Sequence, residues 1–343
     1  MNIELLTEKV NQSLKSQVSD FCGQITQIDQ QLLPVADSLS QFLSEGKRFR
    51  PLFALIGYLG ADGKINEEVI RATCALEFLQ ASALIHDDLM DSSDIRRGKP
   101  AIHSQFSAKY GAEFGAAAAI LIGDIALIWS DQSLSQSGVS SETLASVSPI
   151  YAVMRNELMA GQFLDVFEQT QSNFSVERSL KIARYKSGKY SIERPLHFGA
   201  ALTKNPKLED FYQIYSEYGL PLGEAFQLRD DLLGVFGDPE ITGKPAGDDL
   251  KEGKRTALIA YAHDRGDQDT KRLIDSKLGK ELSESEVEEL RATIEKSGAV
   301  VHVEDLIEKL SESAMDSLAR DEINLDAKQL LTEMVGLVTK RKR

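Results

Sequence analysis

Apolar residues recur at helical spacing through most of the chain, and alternating strand-like runs are scarce. The pattern predicts helix over residues 3–45 with a break near Pro34, a short helix over 49–59, and a turn at Gly60–Gly63. A long helix then opens at Asn66, which can cap it. Glu67 and Glu68 suit the positive end of its dipole, and Ile65 can staple onto Ile70. From Val69 to Met90 this stretch is apolar nearly all the way round, through Ile70, Leu76, Phe78, Leu79, Leu84, Ile85 and Leu89. Such a helix belongs in the interior, and ~26 residues of it span about 39 Å. Further helices are expected over 111–135, over 141–168, over 176–203 with a kink before Pro195, and over 207–236. A loop dense in Gly and Pro follows. Residues 265–282 are polar and read as a mobile surface segment, and amphipathic helix resumes at Ser283, ending in a basic tail, Lys340–Arg343. The fold class expected is all-α.

Composition narrows the reading. The chain has 343 residues, a length that allows two domains as a soft prior, and 42% of them are apolar, enough to bury a large core. The net charge of −14 argues against a nucleic-acid partner. Cys22 and Cys74 are too few for a disulfide framework, which suits a reducing compartment. The N-terminus shows no basic-then-apolar signal pattern. The most apolar run, Ala116–Trp129, is interrupted by Asp124 and reads as too short to cross a bilayer. The expectation is a soluble, cytoplasmic protein without a transmembrane segment. Asp124 reads as a lone buried carboxylate satisfied by a neighbouring donor.

The candidate chemistry lies at helix ends. Asp87 and Asp91 are i and i+4 and share one face, with Asp88 about 100° round. Like charges at that spacing repel unless a cation sits between them, and Mg2+ is commonly held by one or two carboxylates plus substrate phosphates. A solvated acidic helix end is the alternative. Asp230 and Asp231 repeat the pattern at the end of a second long apolar helix. Lys47, Arg48 and Arg50 crowd beside Gly46, as a diphosphate clamp would require, although an ordinary basic loop has the same composition. Lys186 and Lys189 stand among Ile182, Ala183, Tyr185 and Tyr190, unlike a solvated face.

Taken together, GKRFRP, ALEFLQASALIHDDLMDSSDIRRGKPAIH, GQFLD, YKSGKY, FQLRDDLLGVFGD and GKPAGDDLKEGKRT resemble the trans-type isoprenyl (polyprenyl) diphosphate synthases, in order, over about residues 40–300. The resemblance implies one single-domain bundle of antiparallel helices around a central apolar cavity, usually a homodimer, which overrides the two-domain prior. It implies Mg2+-dependent head-to-tail condensation of isopentenyl diphosphate with an allylic diphosphate (dimethylallyl, geranyl or farnesyl), with up to three ions and Mn2+ as a possible substitute. By the same resemblance Asp87, Asp91 and Asp230 are metal ligands, with Asp88 and Asp231 beside them. Lys47, Arg50 and Arg97 match the isopentenyl diphosphate clamp, with Gln80 where many relatives carry histidine. Arg96, Lys186 and Lys254 match contacts to the allylic diphosphate. Ser187 stands in for the usual threonine, and Gln227 and Lys244 match positions near the second motif. One departure stands out: the fifth position of the second motif is Gly234 where an aspartate is usual, so either a ligand at one metal is missing or Asp238 or a water serves there.

Three rival readings fit the residues less well. A metal phosphohydrolase could claim His86-Asp87, but His86 is the first of only five histidines and that chemistry needs one upstream. A terpene cyclase has no need of a second diphosphate clamp. A non-catalytic partner subunit has no need of intact acidic and basic motifs. Product length is read from the helix before Asp87. Ser82 and Ala83 are small, which disfavours stopping at C15, and Phe78 is a candidate floor one turn deeper. The product expected is geranylgeranyl diphosphate (C20), with longer chains or farnesyl diphosphate as alternatives.

Overall fold

The computed structural model describes residues 2–171, 173, 175–238 and 247–340. Lys244 and the last three residues of the basic tail fall outside them. The chain is all-α apart from one two-residue hairpin. Helix α1 (Ile3–Ile28) ends at Asp29, whose extended backbone starts the break. After a 3-10 turn (Gln30–Leu32), Pro34 sits in the first turn of α2 (Leu33–Ser44), where its missing N–H has no partner to lose. Helix α3 (Phe49–Gly60) leads to α4 (Glu67–Met90), which Asn66 caps by accepting from the Val69 N–H. The hairpin β1 (Ile95–Arg96) and β2 (Lys99–Pro100) then turns at Arg97 and Gly98, both at positive φ.

Helix α5 (Ile102–Tyr110) precedes α6 (Ala112–Ser135), which lies along α4 through Ala119, Ile122, Ala126 and Trp129. At 24 residues α6 is long and apolar enough, by length and composition, to cross a membrane, so the expectation of too short a run is corrected. Its outer face leaves Ile120, Leu121 and Ile128 exposed. Asp124 is on the open side too: its side chain is 55% exposed and 3.6 Å from His86, and is therefore not the buried carboxylate expected.

Helix α7 (Ser141–Gln169) is followed by α8 (Val176–Ala183), a π-helical run (Arg184–Glu193) and α9 (Arg194–Ala201). Before Pro195, where a kink is expected, the helix widens into the i→i+5 register, and Pro195 falls in the first turn of α9. Helix α10 (Leu208–Phe236) contributes Tyr215, Tyr218 and Leu222 to the core around α4, and Leu228, Leu232 and Val235 to a second core. That second core is closed by α11 (Asp248–Glu252), α12 (Ala257–Arg265), α13 (Gln268–Lys277), α14 (Glu284–Lys296) and α15 (Ala299–Ser317). Helix α16 (Leu325–Thr339) returns to the first core through Leu331 and Met334. The segment expected to be mobile is largely α13, capped by Asp267 and anchored by buried Ile274. One apolar stripe suffices to seat so polar a helix.

Candidate active site

The C-terminal end of α4 and the C-terminal half of α10 face one cavity of about 440 Å3. Asp87 opens onto it from α4, and Asp230 from α10. Basic side chains line the same space from four separate segments: Lys47 and Arg50 before and in α3, Arg96 and Arg97 in the hairpin, Lys186 in the π run, and Lys254 after α11. Ser187, Gln80 and Gln227 line it as well.

Each acidic group of the first end is matched to a cation. Asp87 accepts from Lys186 at 3.2 Å and from Gln162 at 2.7 Å, and Lys186 also donates to Asp165 at 2.6 Å. Burial opposes the charge of Asp87, but Lys186, Lys254 and Arg96 outweigh it and hold its carboxyl well below the usual range. Asp91 is 2.8 Å from Lys254, which also reaches Glu252 at 2.5 Å. Burial pushes the Asp91 carboxyl up, with Lys254 pulling the other way and the Asp87 charge adding to the rise. Asp88 is buried on another side of α4 and accepts from Arg96 Nε at 2.8 Å. Ser93 donates to Glu252, so the turn after α4 is tied to the segment that carries Lys254.

The second end is built differently. Asp231 is buried, accepting from Gln227 at 2.7 Å and from the backbone N–H of Ala257, at the start of α12, at 3.1 Å. Burial, with Asp249 and Asp230 nearby, pushes its carboxyl up to about 7. Gln227 thus holds Asp231. At Gly234 the space that a side chain would fill is occupied by the carboxylate of Asp249: a Cβ there would overlap it. The departure in the second motif therefore has a physical counterpart, a carboxylate from α11 in the place of one from α10.

The basic residues divide by environment. Arg48 lines the cavity with Lys47 and Arg50, but its guanidinium is already engaged. It is buried, donates to Glu77 at 2.7 Å and to the carbonyls of Leu43 and Glu45, and caps α3 in a left-handed conformation. Its outward neighbours Lys47 and Arg50 remain at the wall, Arg50 stacked 4.3 Å from the centroid of Tyr190 and donating to Ser191 at 2.7 Å. Arg97 donates to the Glu45 carbonyl at 2.6 Å and lies over Phe42. Gln80 accepts from Tyr190 at 2.8 Å.

The proposed chain-length residues separate. Among the described residues the wall includes Ala83 and Leu84 of α4 but neither Ser82 nor Phe78. Nine residues before Asp87 is about two and a half turns, which turns Phe78 to the opposite face. There its ring packs 5.5 Å from Phe21 of α1 and 6.0 Å from Trp129 of α6. Phe78 as the floor directly beneath Asp87 is corrected on that ground. The sequence reading gave no role to Gln162, Asp165, Tyr190 or Asp249. GQFLD did carry a signal, since Gln162 and Asp165 are i and i+3 and share a face.

No three acidic, histidine or cysteine side chains converge on a ready-made metal cage among the described residues. Single hard carboxylates on facing walls, with phosphate oxygens to complete the shell, are how Mg2+ is usually taken. Asp87, Asp91 and Asp230 fit that donor set.

Comparison with known proteins agrees with this geometry. The polyprenyl synthetase family model matches residues 34–295. A geranylfarnesyl diphosphate synthase of Aeropyrum pernix is 31% identical over 310 residues, covering 89% of this chain and 93% of that protein. A geranylgeranyl diphosphate synthase of Sulfolobus acidocaldarius is 30% identical over 316 residues, covering 91% of this chain and 89% of that protein. The crystal structure of geranylgeranyl pyrophosphate synthase from Corynebacterium glutamicum, complexed with isoprenyl diphosphate and magnesium, superposes with a TM-score of 0.95 at 37% identity, covering 99% of this chain and all of that one. A helical cavity walled by two acidic helix ends and four basic segments, matched across most of the chain, leaves one assignment: the chain belongs to the polyprenyl synthetase family, and its activity is prenyl transfer.

Proposed function

We propose that this protein condenses isopentenyl diphosphate with an allylic diphosphate (dimethylallyl, geranyl or farnesyl) to give a trans-polyprenyl diphosphate, with geranylgeranyl diphosphate as the main product. The observation that carries the reading is the cavity itself, which Asp87 and Asp230 both line and which cations enter from four segments. Asp87, Asp91 and Asp230 would hold Mg2+, up to three ions with the diphosphate oxygens, and Mn2+ could replace it. Bound there, the metal neutralises the departing diphosphate.

The chain's own residues supply the rest. Lys186 and Lys254, ammonium groups now paired with Asp87 and Asp91, release those carboxylates and turn to the allylic diphosphate. Arg96 joins them. The allylic C–O bond breaks, and its electron pair leaves with the diphosphate. The isopentenyl double bond attacks the allylic cation, a proton leaves the adduct for the released diphosphate, and a new double bond forms. Lys47, Arg50 and Arg97 hold isopentenyl diphosphate across the cavity. Ala83, Leu84, Leu158 and Phe226 line the wall and offer the tail an apolar surface that excludes water.

The C20 preference rests on relatives named for that product and on the small Ala83 at the wall. Incubation with both substrates and Mg2+, followed by chromatography of the dephosphorylated products, tests the whole. A C20 alcohol is expected, and no incorporation of isopentenyl diphosphate would overturn the reading. Ala83→Phe should shorten the product. Phe78→Ala, which opens space on the far face of α4, should leave its length unchanged.

Two features of the working protein are part of the proposal. A second copy covers the outer face of α6, where Leu121 and Ile128 are 62% exposed beside Phe114 and Ile120. Light scattering should give twice the chain mass, and Leu121→Lys should halve it. A cytoplasmic setting is supported by two unpaired cysteines, one of them buried. Cell fractionation tests it.

A further inference from the structure

Outside the catalytic cavity, a cluster of half-buried charge joins α7 to the end of the π run. A ten-residue π-helical run is unusual, because the i→i+5 register is rarely held for more than a turn. Arg184–Glu193 is held in it from two sides, by one face of α7 and by α10. Glu157, Gly161 and Asp165 are spaced by four and line up along that helix. Asp165 takes the side chain of Lys186 at 2.6 Å. Gly161 lets the backbone of Lys186 lie against α7, since a Cβ there would overlap the Lys186 nitrogen. Glu157 takes three donors: Lys189 at 2.7 Å, Arg194 Nε at 2.6 Å and Arg194 Nη2 at 2.9 Å. On the other side Gly188 packs on Gly223 of α10, again where no side chain fits. The run is thus held at its start by Asp165, in its middle by two glycine contacts, and at its end by Glu157.

We propose that Glu157, which is not a wall residue, is a positioning residue for Lys186 and so sets the affinity for the allylic diphosphate. The proposal rests on the prenyl-transfer reading above. Lys189 and Arg194 bracket the end of the widened segment, and one carboxylate joins both to α7. Glu193, buried and accepting from Ser216 at 2.6 Å, is 3.7 Å from Lys189 and 3.9 Å from Arg194. Without Glu157 both cations turn to Glu193, the segment shifts along α7, and Lys186 moves with it. Lys47, Arg50 and Arg97 lie on other segments and are not displaced.

The test is steady-state kinetics with each substrate varied in turn. Glu157→Ala is expected to raise the KM for the allylic diphosphate about tenfold while the KM for isopentenyl diphosphate changes less than about twofold, since an ångström of displacement at a positioned group can cost up to ~100-fold. Glu157→Gln, which keeps the acceptor oxygen, should recover part of the loss. Lys189→Met removes one arm without emptying the site, and should show the same one-sided change if Glu157→Ala fails to fold. Equal rises in both KM values, or wild-type kinetics in the folded variants, would overturn the proposal. An inactive wild-type protein would instead overturn the prenyl-transfer reading.

Discussion

The two acidic ends look alike as text and differ in space. Both place paired aspartates near the end of a long apolar helix. On α4, Asp87 opens onto the cavity and is met by the ammonium of Lys186, while Asp91, buried beside Lys254, is met by that lysine, so two carboxylates are held by groups that can leave. On α10, Asp230 and Asp231 both line the cavity, but the carboxylate of Asp231 is taken up by Gln227 and by the first backbone N–H of α12, while Asp249 fills the gap left by Gly234. Adjacent aspartates on a helix, Asp87 with Asp88 or Asp230 with Asp231, point about 100° apart, and what packs against each direction decides what each carboxylate can do.

The sharpest way to break this contrast is to neutralise one member of each pair. Asp87→Asn should lower kcat by a hundredfold or more, on the scale of losing one preorganised electrostatic contact, ~10²–10³. Asp231→Asn keeps one acceptor for its two donors and should lose less than about tenfold, with a fall in Tm as the larger change. Similar kinetic losses in both variants would show that the buried carboxylate is as much a part of the chemistry as the exposed one.

Gly234 offers the next test. Gly234→Ala should cut turnover by roughly tenfold by pushing Asp249 aside, at a cost of ~1–3 kcal/mol for overpacking. If the two groups compete for one space, the Gly234→Ala/Asp249→Ala double variant will be less impaired than the sum of the single changes. Additive losses would remove Asp249 from that place.

The cations sharpen the division between the two diphosphates. Lys186→Ala should raise chiefly the allylic KM, and Lys47→Ala and Arg50→Ala chiefly the isopentenyl KM, each by about tenfold, or ~1.4 kcal/mol. The same parameter moved by all three would merge the sites.

The last test concerns stability and a group outside the cavity. His197 is buried in contact with Arg194 and the Tyr212 carbonyl, and burial pushes its imidazole down to about 4, Glu193 opposing and Arg194 adding to the fall. A folded-state pKa below the ordinary value of ~6.5 contributes stability that is present above ~6.5 and lost as pH falls towards 4, up to about 3 kcal/mol. Denaturant titrations over that range should show the loss in the wild type and a flatter profile in His197→Gln. Parallel profiles would mean that other groups set the acid sensitivity.

Much of this was legible in the residues. Asn66 marked the start of α4 correctly, because a side-chain cap acts within one turn. The apolar pattern located the long helices to within a residue or two, and Asp87, Asp230, Lys186 and Lys254 line one cavity. What local pattern could not carry was direction. Arg48 and Lys47 are neighbours and both line the cavity, yet the guanidinium of Arg48 is buried on Glu77 while the ammonium of Lys47 lies over Phe49. Phe78 was placed one turn from a wall that lies on the opposite side of α4.

Sequence alone determined the helices, the kinds of charge at their ends and the chemistry those charges suit, since periodicity, caps and side-chain type act over a few residues. Tertiary structure alone decided that Asp249 takes the place absent at Gly234, that Asp231 caps a helix, and that Glu157 holds a π-helical run from across the core. Those contacts join residues 15, 26 and 37 positions apart or come from different helices. No period of 3.6 or 2 residues relates such positions, and only the packing of one helix on another brings them within reach.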